Sequence, residues 1–341
     1  MRKTTPVLFP VLLILGTCFA LAGAGDNTAE VYFATSDRCM ACHNRLTAPS
    51  GLDLSIGTDW RGSMMANSAR DPYWQAAVTR EVLDHPTAQA EIEAECSRCH
   101  MPMSSFRSQS FGEHPEVFAH LPIAQAEGRL DILAADGVSC TVCHQIQEEK
   151  LGTEESFVGH FVIDTETPWG EREIFGPYEA LAGLTRIMQS ASRFEQRKAE
   201  HIQSAELCAT CHTLYTSSYQ DGEPIARLPE QVPYLEWRHS GYPGRKSCQD
   251  CHLPVSESPA AITSVLGREQ EGFSRHVFRG GNFFMSRLLN RHGAELGVEA
   301  LPGELEATAS RTIENLQTLT ASLELEAGIL PDGLLAADLK V

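Results

Sequence analysis

Apolar and polar positions near the C-terminus follow two periods in turn. Leu305, Ala309, Ile313, Leu316 and Thr320 share one helical face. Beyond them Leu323, Leu325 and Ala327 alternate with Ser322, Glu324 and Glu326. Pro331-Asp332-Gly333 makes a turn, and Leu335, Ala337, Leu339 and Val341 alternate again. The pattern predicts a helix followed by a β-hairpin. A lone hairpin is marginal in water. It therefore docks on the rest of the chain, pairs with another chain, or opens a β-domain truncated at Val341; docking and truncation are preferred. Upstream, residues 71–94 read as helix, entered at Asp71-Pro72 and paused at His85-Pro86. Residues 177–211 favour helix, with Leu181, Leu184, Ile187 and Met188 at helical spacing and a solvated charged face over 193–200. Residues 157–163 read as strand, 164–176 as loop and 241–244 as turn.

The first 24 residues have the pattern of a secretory signal. Arg2 and Lys3 precede an apolar run broken by Pro10, and Ala20-Leu21-Ala22 and Ala22-Gly23-Ala24 are cleavage candidates. The run is too short to span a membrane. The chain is expected to be exported, to the periplasm or beyond the cell. Thr17 is a poor residue before a lipidated Cys18, so a lipoprotein is the less favoured reading.

All ten cysteines outside that leader fall in one repeated pattern. It reads Cys39-Met-Ala-Cys42-His43, Cys96-Ser-Arg-Cys99-His100, Cys140-Thr-Val-Cys143-His144, Cys208-Ala-Thr-Cys211-His212 and Cys248-Gln-Asp-Cys251-His252. Cys-x-x-Cys-His attaches c-type haem: two thiols form thioethers with the porphyrin, and the adjacent imidazole takes the iron. Five copies among 11 cysteines are not a chance arrangement. Zinc ribbons do not need a His after each pair. A disulfide framework would not give every cysteine this spacing, and thioredoxin-like pairs come singly. Five covalently bound c-type haems are expected, with His43, His100, His144, His212 and His252 as proximal iron ligands. The motifs begin 57, 44, 68 and 40 residues apart, which excludes a regular repeat. Each should start or end a short helix.

Aromatic content is only 7%, so porphyrin must supply much of the apolar core. That predicts a mainly α fold with much irregular structure, organised around packed haems, with the C-terminal helix and β-hairpin appended. The domains expected are a signal peptide over 1–24, a pentahaem cytochrome c domain over 25–300, and the helix plus hairpin over 301–341. The net charge of −18 argues against nucleic acid, whose phosphates need a basic surface. It suits other redox proteins with a basic docking face, among them a membrane-bound quinol-oxidising or terminal reductase partner.

The sixth position on each iron decides between carrier and enzyme. Eight histidines lie outside the motifs. The stronger distal candidates are His85 and His201, ahead of the second and fourth motifs, His120 before the third, His239 before the fifth, and His276 in Arg275-His276-Val277-Phe278-Arg279-Gly280-Gly281. His114, His160 and His292 are weaker. Met101 and Met103 follow the second motif so closely that they are read as packing against its ring.

Three further segments carry a family resemblance: Trp60-Arg61-Gly62-Ser63-Met64-Met65-Ala66, Asp136-Gly137-Val138-Ser139-Cys140, and Glu236-Trp237-x-x-Ser240 before Cys248. With the motifs, over about residues 37–285, the chain resembles multihaem cytochromes c of the hydroxylamine-oxidoreductase and nitrite-reductase superfamily, in particular its cytochrome c-554-like carriers. In that family Trp-x-x-Ser-x-His-Ala presents a distal His; here Met65 occupies that position. The resemblance thus implies Met65 as a distal candidate, and His/Met coordination would raise that haem's potential. Five motifs replace the carriers' four, so the family's haem order does not transfer. No Cys-x-x-Cys-Lys motif is present, so the lysine-ligated haem of the nitrite reductases has no counterpart.

The expected function is electron transfer through a chain of close haems, without catalysis. Two alternatives stand beside it. One is a reductase or oxidase of small nitrogen or sulfur oxyanions at a five-coordinate haem, with an unligated His as general acid. The other is a subunit of an extracellular cytochrome polymer.

Overall fold

The computed structural model describes residues 32–179 and 181–340. The expected export signal, Cys18 and Val341 lie outside the described residues. Helix predominates, in short pieces joined by long irregular segments, and the strands among the described residues form four two-stranded sheets. The fold is therefore mixed. No helix among the described residues is long and apolar enough to cross a membrane.

The helical expectations for the first half hold with local detail. Pro72–Asp84 is a helix whose N-cap Asp71 accepts from the backbone N–H groups of Tyr73 and Trp74. It stops at His85, a turn of 3₁₀-helix follows, and Gln89–His100 carries the second motif at its C-terminal end. Prolines at the first positions of Pro72–Asp84 and of Pro102–Ser110 fit where no backbone donor is needed. Every motif touches a short helix: Ser36–Met40, Gln89–His100, Cys140–Cys143, Ala205–Ala209 and Cys248–His252.

Three expectations fail between residues 157 and 211. Residues 157–163 are turn and irregular backbone, with Val158 and Gly159 at positive φ, a conformation outside a strand. The supposed loop over 164–176 contains the strand Arg172–Gly176. The helix Ala182–Ser192 ends at left-handed Arg193, and the charged stretch after it is the strand Phe194–Lys198, with Phe194 fully buried. The two strands pair in parallel, Arg172 beside Phe194 and Gly176 beside Lys198, with the helix as crossover. A further hairpin, Leu214–Gln220 with Glu223–Gln231, turns at Asp221-Gly222. Asp-Gly between strand-like runs is a strong hairpin signal, and it was there to be read.

The C-terminal helix spans Pro302–Thr318, and its Leu305 and Ala309 are buried. It docks on the rest of the protein through ion-paired Arg61 and Glu304. The contact is close: a Cβ on Gly62 would lie 2.8 Å from the Thr308 hydroxyl. The hairpin Glu324–Ile329 with Leu335–Lys340 forms as the alternation predicted. Leu325 pairs Leu339 and Ile329 pairs Leu335, and all four side chains are exposed.

Candidate haem sites

The motif histidines share an arrangement that follows from what each can donate. A backbone carbonyl only accepts, so an imidazole nitrogen beside one must carry the proton, and the other nitrogen keeps its lone pair. Nδ1 lies 2.6 Å from the Ile262 carbonyl in His43, 3.1 Å from that of Ser68 in His100, and 2.6 Å from that of Phe175 in His144. In His252 it meets the carbonyl of Arg279. His212 bonds the Gln231 side chain instead. In four of the five rings Nδ1 thus carries the proton and Nε2 keeps its lone pair, with no hydrogen-bond partner for that Nε2 among the described residues. Burial holds His43, His100, His144 and His212 below the usual imidazole range, which keeps the rings neutral as metal ligation requires.

Three of these acceptor residues grip their histidine twice. Phe175 donates its N–H to the His144 carbonyl (2.7 Å), Arg279 does so for His252 (2.9 Å), and the Ser68 hydroxyl does so for His100 (2.8 Å). The strand Arg172–Gly176 thereby gains a role: it fixes the third motif's imidazole. Outer hydrogen bonds of this kind set a ligand's tautomer and orientation.

None of the ten motif cysteines is in a disulfide. Burial pushes the Cys96 thiol up to about 12 and that of Cys143 to about 11, while a bond to another motif's thiol lowers Cys39, Cys99 and Cys248. Thiols from different motifs meet. Cys39 hydrogen-bonds Cys140, Cys99 bonds Cys211, and Cys208 bonds Cys248. Cys143 is close enough to act electrostatically on both Cys208 and Cys211. The first motif therefore adjoins the third, the third adjoins the fourth, and the fourth adjoins both the second and the fifth.

The distal candidates separate by geometry. His276 stands beside His144 with ring centres 6.3 Å apart and planes 18° from parallel, and its Nδ1 lies 3.2 Å from the Ser274 carbonyl. A metal–imidazole bond is about 2 Å long, so two rings sharing one ion stand about 6 Å apart centre to centre. Burial and the neighbouring His144 lower His276 to about 3. His120 offers Nδ1 to the Asp131 carboxylate (2.7 Å), which holds that carboxyl below its usual range. His239 bonds Leu235 within its own helix and is exposed. His201 gives Nε2, not Nδ1, to the Ile146 carbonyl (2.8 Å). His85 sits at the break between two helices, 6.3 Å from the Tyr219 ring. Among the weaker candidates, His160 has Arg98 at its Nε2 (2.9 Å), where the arginine donates to the lone pair a metal would use. Met101 and Met103 are fully buried, each in a different apolar cluster.

Two of the segments that carry the family resemblance are tied to each other. The Val138 N–H donates to the Met65 carbonyl (3.0 Å), and Trp60 Nε1 donates to the Val138 carbonyl (3.0 Å). Gly137 has φ +61°, and a Cβ there would lie 2.8 Å from the Met65 carbonyl oxygen. Asp136 accepts from the N–H and hydroxyl of Ser36, joining the third motif's lead-in to the first motif's helix. Met65 is half-buried at this junction.

The sequence did not reveal a cationic cluster around Asp59. Arg275 forms a bidentate pair with that carboxylate (2.9 and 2.7 Å), and Arg311 lies 3.9 Å away. Burial raises the Asp59 carboxyl against the pull of Arg275. The Arg279 and Arg311 Nε atoms are buried without a hydrogen-bond partner among the described residues. Arg279 acts electrostatically on Arg311, and the unpartnered Nε atoms of these two arginines suit an anionic group such as a haem propionate. Arg275 and Arg279 flank His276, and that proximity was the sequence signal for them. With paired thiols, neutral imidazoles showing free Nε2 atoms and one His–His pair at shared-metal distance, the residues fit c-type haem. No protein-family model, curated protein or solved structure matches the chain.

Proposed function

We propose that the chain is an exported pentahaem c-type cytochrome that moves electrons through closely spaced haems, as its resemblance to the cytochrome c-554-like carriers implies. The observation that carries this reading is the contact between thiols of different Cys-x-x-Cys-His motifs. Anchor points that touch bring the attached groups close.

Each bound haem would supply a one-electron centre. The ten thiols would hold it, and the five motif histidines would each offer Nε2 to the iron. Ile262, Ser68, Phe175 and Arg279 keep four of those rings in the right tautomer. His276 is assigned as the distal partner of His144 at the third motif. Asp131 orients His120 in the way that favours ligation through Nε2. Met65, His85 and His239 remain distal candidates for other motifs, while His201 is less suited because its Nε2 is occupied. Arg279 and Arg311 would take haem carboxylates. The acidic surface would steer basic redox partners toward the protein.

The ferric spectrum of the matured protein tests the carrier reading. Low-spin signal alone supports it. High-spin signal together with nitrite or carbon monoxide binding after reduction would move the assignment to a small-oxyanion reductase.

A further inference from the structure

We propose that the fifth motif is an end of the array and the docking port for an acidic one-electron redox protein, seated on Arg238, Arg245 and Lys246. This rests on the pentahaem reading above.

The fifth motif joins the others through one thiol contact, Cys248 with Cys208. The fourth motif, by contrast, is a junction: Cys208 meets Cys248, Cys211 meets Cys99, and Cys143 lies near both. The fifth motif is also the most open. Cys251 is the one exposed cysteine of the ten, and His252 is exposed with it. Electron exchange with another protein needs such an edge at the surface.

The surroundings differ in charge from the rest of the chain. Residues 237–249 hold Arg238, Arg245 and Lys246 and no acid, in a protein of net charge −18. All three side chains are exposed. They are held beside the motif, not loosely near it. Trp237 packs in the same apolar cluster as Cys248, and its Nε1 donates to the Lys246 carbonyl (2.8 Å). Arg279, whose carbonyl accepts from His252, is assigned to a haem carboxylate and is not counted in the patch. The acids at the margins are Glu236, Asp250 and Glu206. Asp250 is turned back to accept from Ser247, and Glu206 is the acceptor for the Tyr234 hydroxyl (3.4 Å).

Long-range repulsion from the overall charge does not defeat a local patch. At physiological salt, fields between exposed charges fade over about 8 Å. A partner already near the fifth motif responds to the cations beneath it. Basic partners, favoured by the net charge, would dock elsewhere on the array. The exchange is balanced: one electron crosses the contact, one protein is oxidised and the other reduced, and no bond or proton is transferred.

The test uses the matured five-haem protein and the variant Arg238→Glu/Arg245→Glu/Lys246→Glu. Both are reduced in stopped flow by the hydroquinone form of an acidic flavodoxin, by a reduced basic cytochrome c, and by uncharged durohydroquinone. The native rate with flavodoxin should fall as salt rises, and charge reversal should slow it about tenfold or more at low salt. Rates with the other two reductants should stay within about twofold. An unchanged flavodoxin rate, or equal slowing with durohydroquinone, overturns the port. A native protein that carries no haem instead overturns the pentahaem reading beneath it.

Discussion

His144 and His276 stand as neighbours with their ring centres 6.3 Å apart and their planes 18° from parallel. They are 132 positions apart in sequence, and each has its Nδ1 beside a backbone carbonyl, that of Phe175 and of Ser274. Both residues are half-buried, and the separation is the one two imidazoles on a shared ion would have, which makes the pair the proposed axial ligands of one haem.

Replacing one of them tests the assignment. His276→Ala should leave about one haem in five high-spin in the ferric protein and able to bind carbon monoxide when reduced. His276→Met should keep that haem low-spin and raise its potential. His114→Ala, at an exposed position, should do neither. Magnetic circular dichroism and a redox titration read both effects. Unchanged spin state in His276→Ala would remove His276 from the ligand set.

Asp59 should matter far more than a surface carboxylate. Its side chain is 5% exposed and bonds Arg275 on two sides. Asp59→Asn would leave buried guanidinium charge without its partner, at a cost of about 3–5 kcal/mol in urea unfolding. Asp84→Asn removes the exposed pair with Arg80 and should cost less than about 1 kcal/mol. Equal losses would contradict the charge balance described here.

Asp136 gives a pH dependence of definite sign. Burial raises its carboxyl to about 6 from an ordinary 3.8, against the pull of its bonds to Ser36. Between those values the folded protein holds a proton that the unfolded chain releases. Its contribution to stability is therefore present at low pH and lost as pH rises from about 4 to about 6, by up to about 3 kcal/mol. Asp136→Asn should flatten that segment of the stability–pH curve, measured by denaturant titration at fixed haem content. A difference curve between the two proteins that is level from pH 4 to pH 6 would contradict it.

The parts of this fold that could be read from sequence are those fixed by local rules. The helix over Pro72–Asp84 follows from an Asp-Pro entry, and the hairpin after residue 323 follows from strict alternation. The five motifs were legible because their spacing is local and repeated, whatever they bind. The strands Arg172–Gly176 and Phe194–Lys198 were not, because their sequences are charged and short. What holds them is pairing with each other and the grip of Phe175 on His144, and both are long-range. The distal candidates came out as an unordered set for the same reason. Nothing near His276 in the sequence refers to His144. Gly137 shows the limit from the other side: its neighbours marked a family pattern, but the reason for glycine is the Met65 carbonyl more than 70 residues away.

The most direct test of the central claim is the intact mass and colour of the exported, matured polypeptide. Five haems bound through Cys39 to Cys251 predict a red protein whose denatured mass exceeds its amino acids by five haem groups, with haem peptides recovered at all five motifs after proteolysis. A colourless protein with the mass of the polypeptide alone would contradict the account.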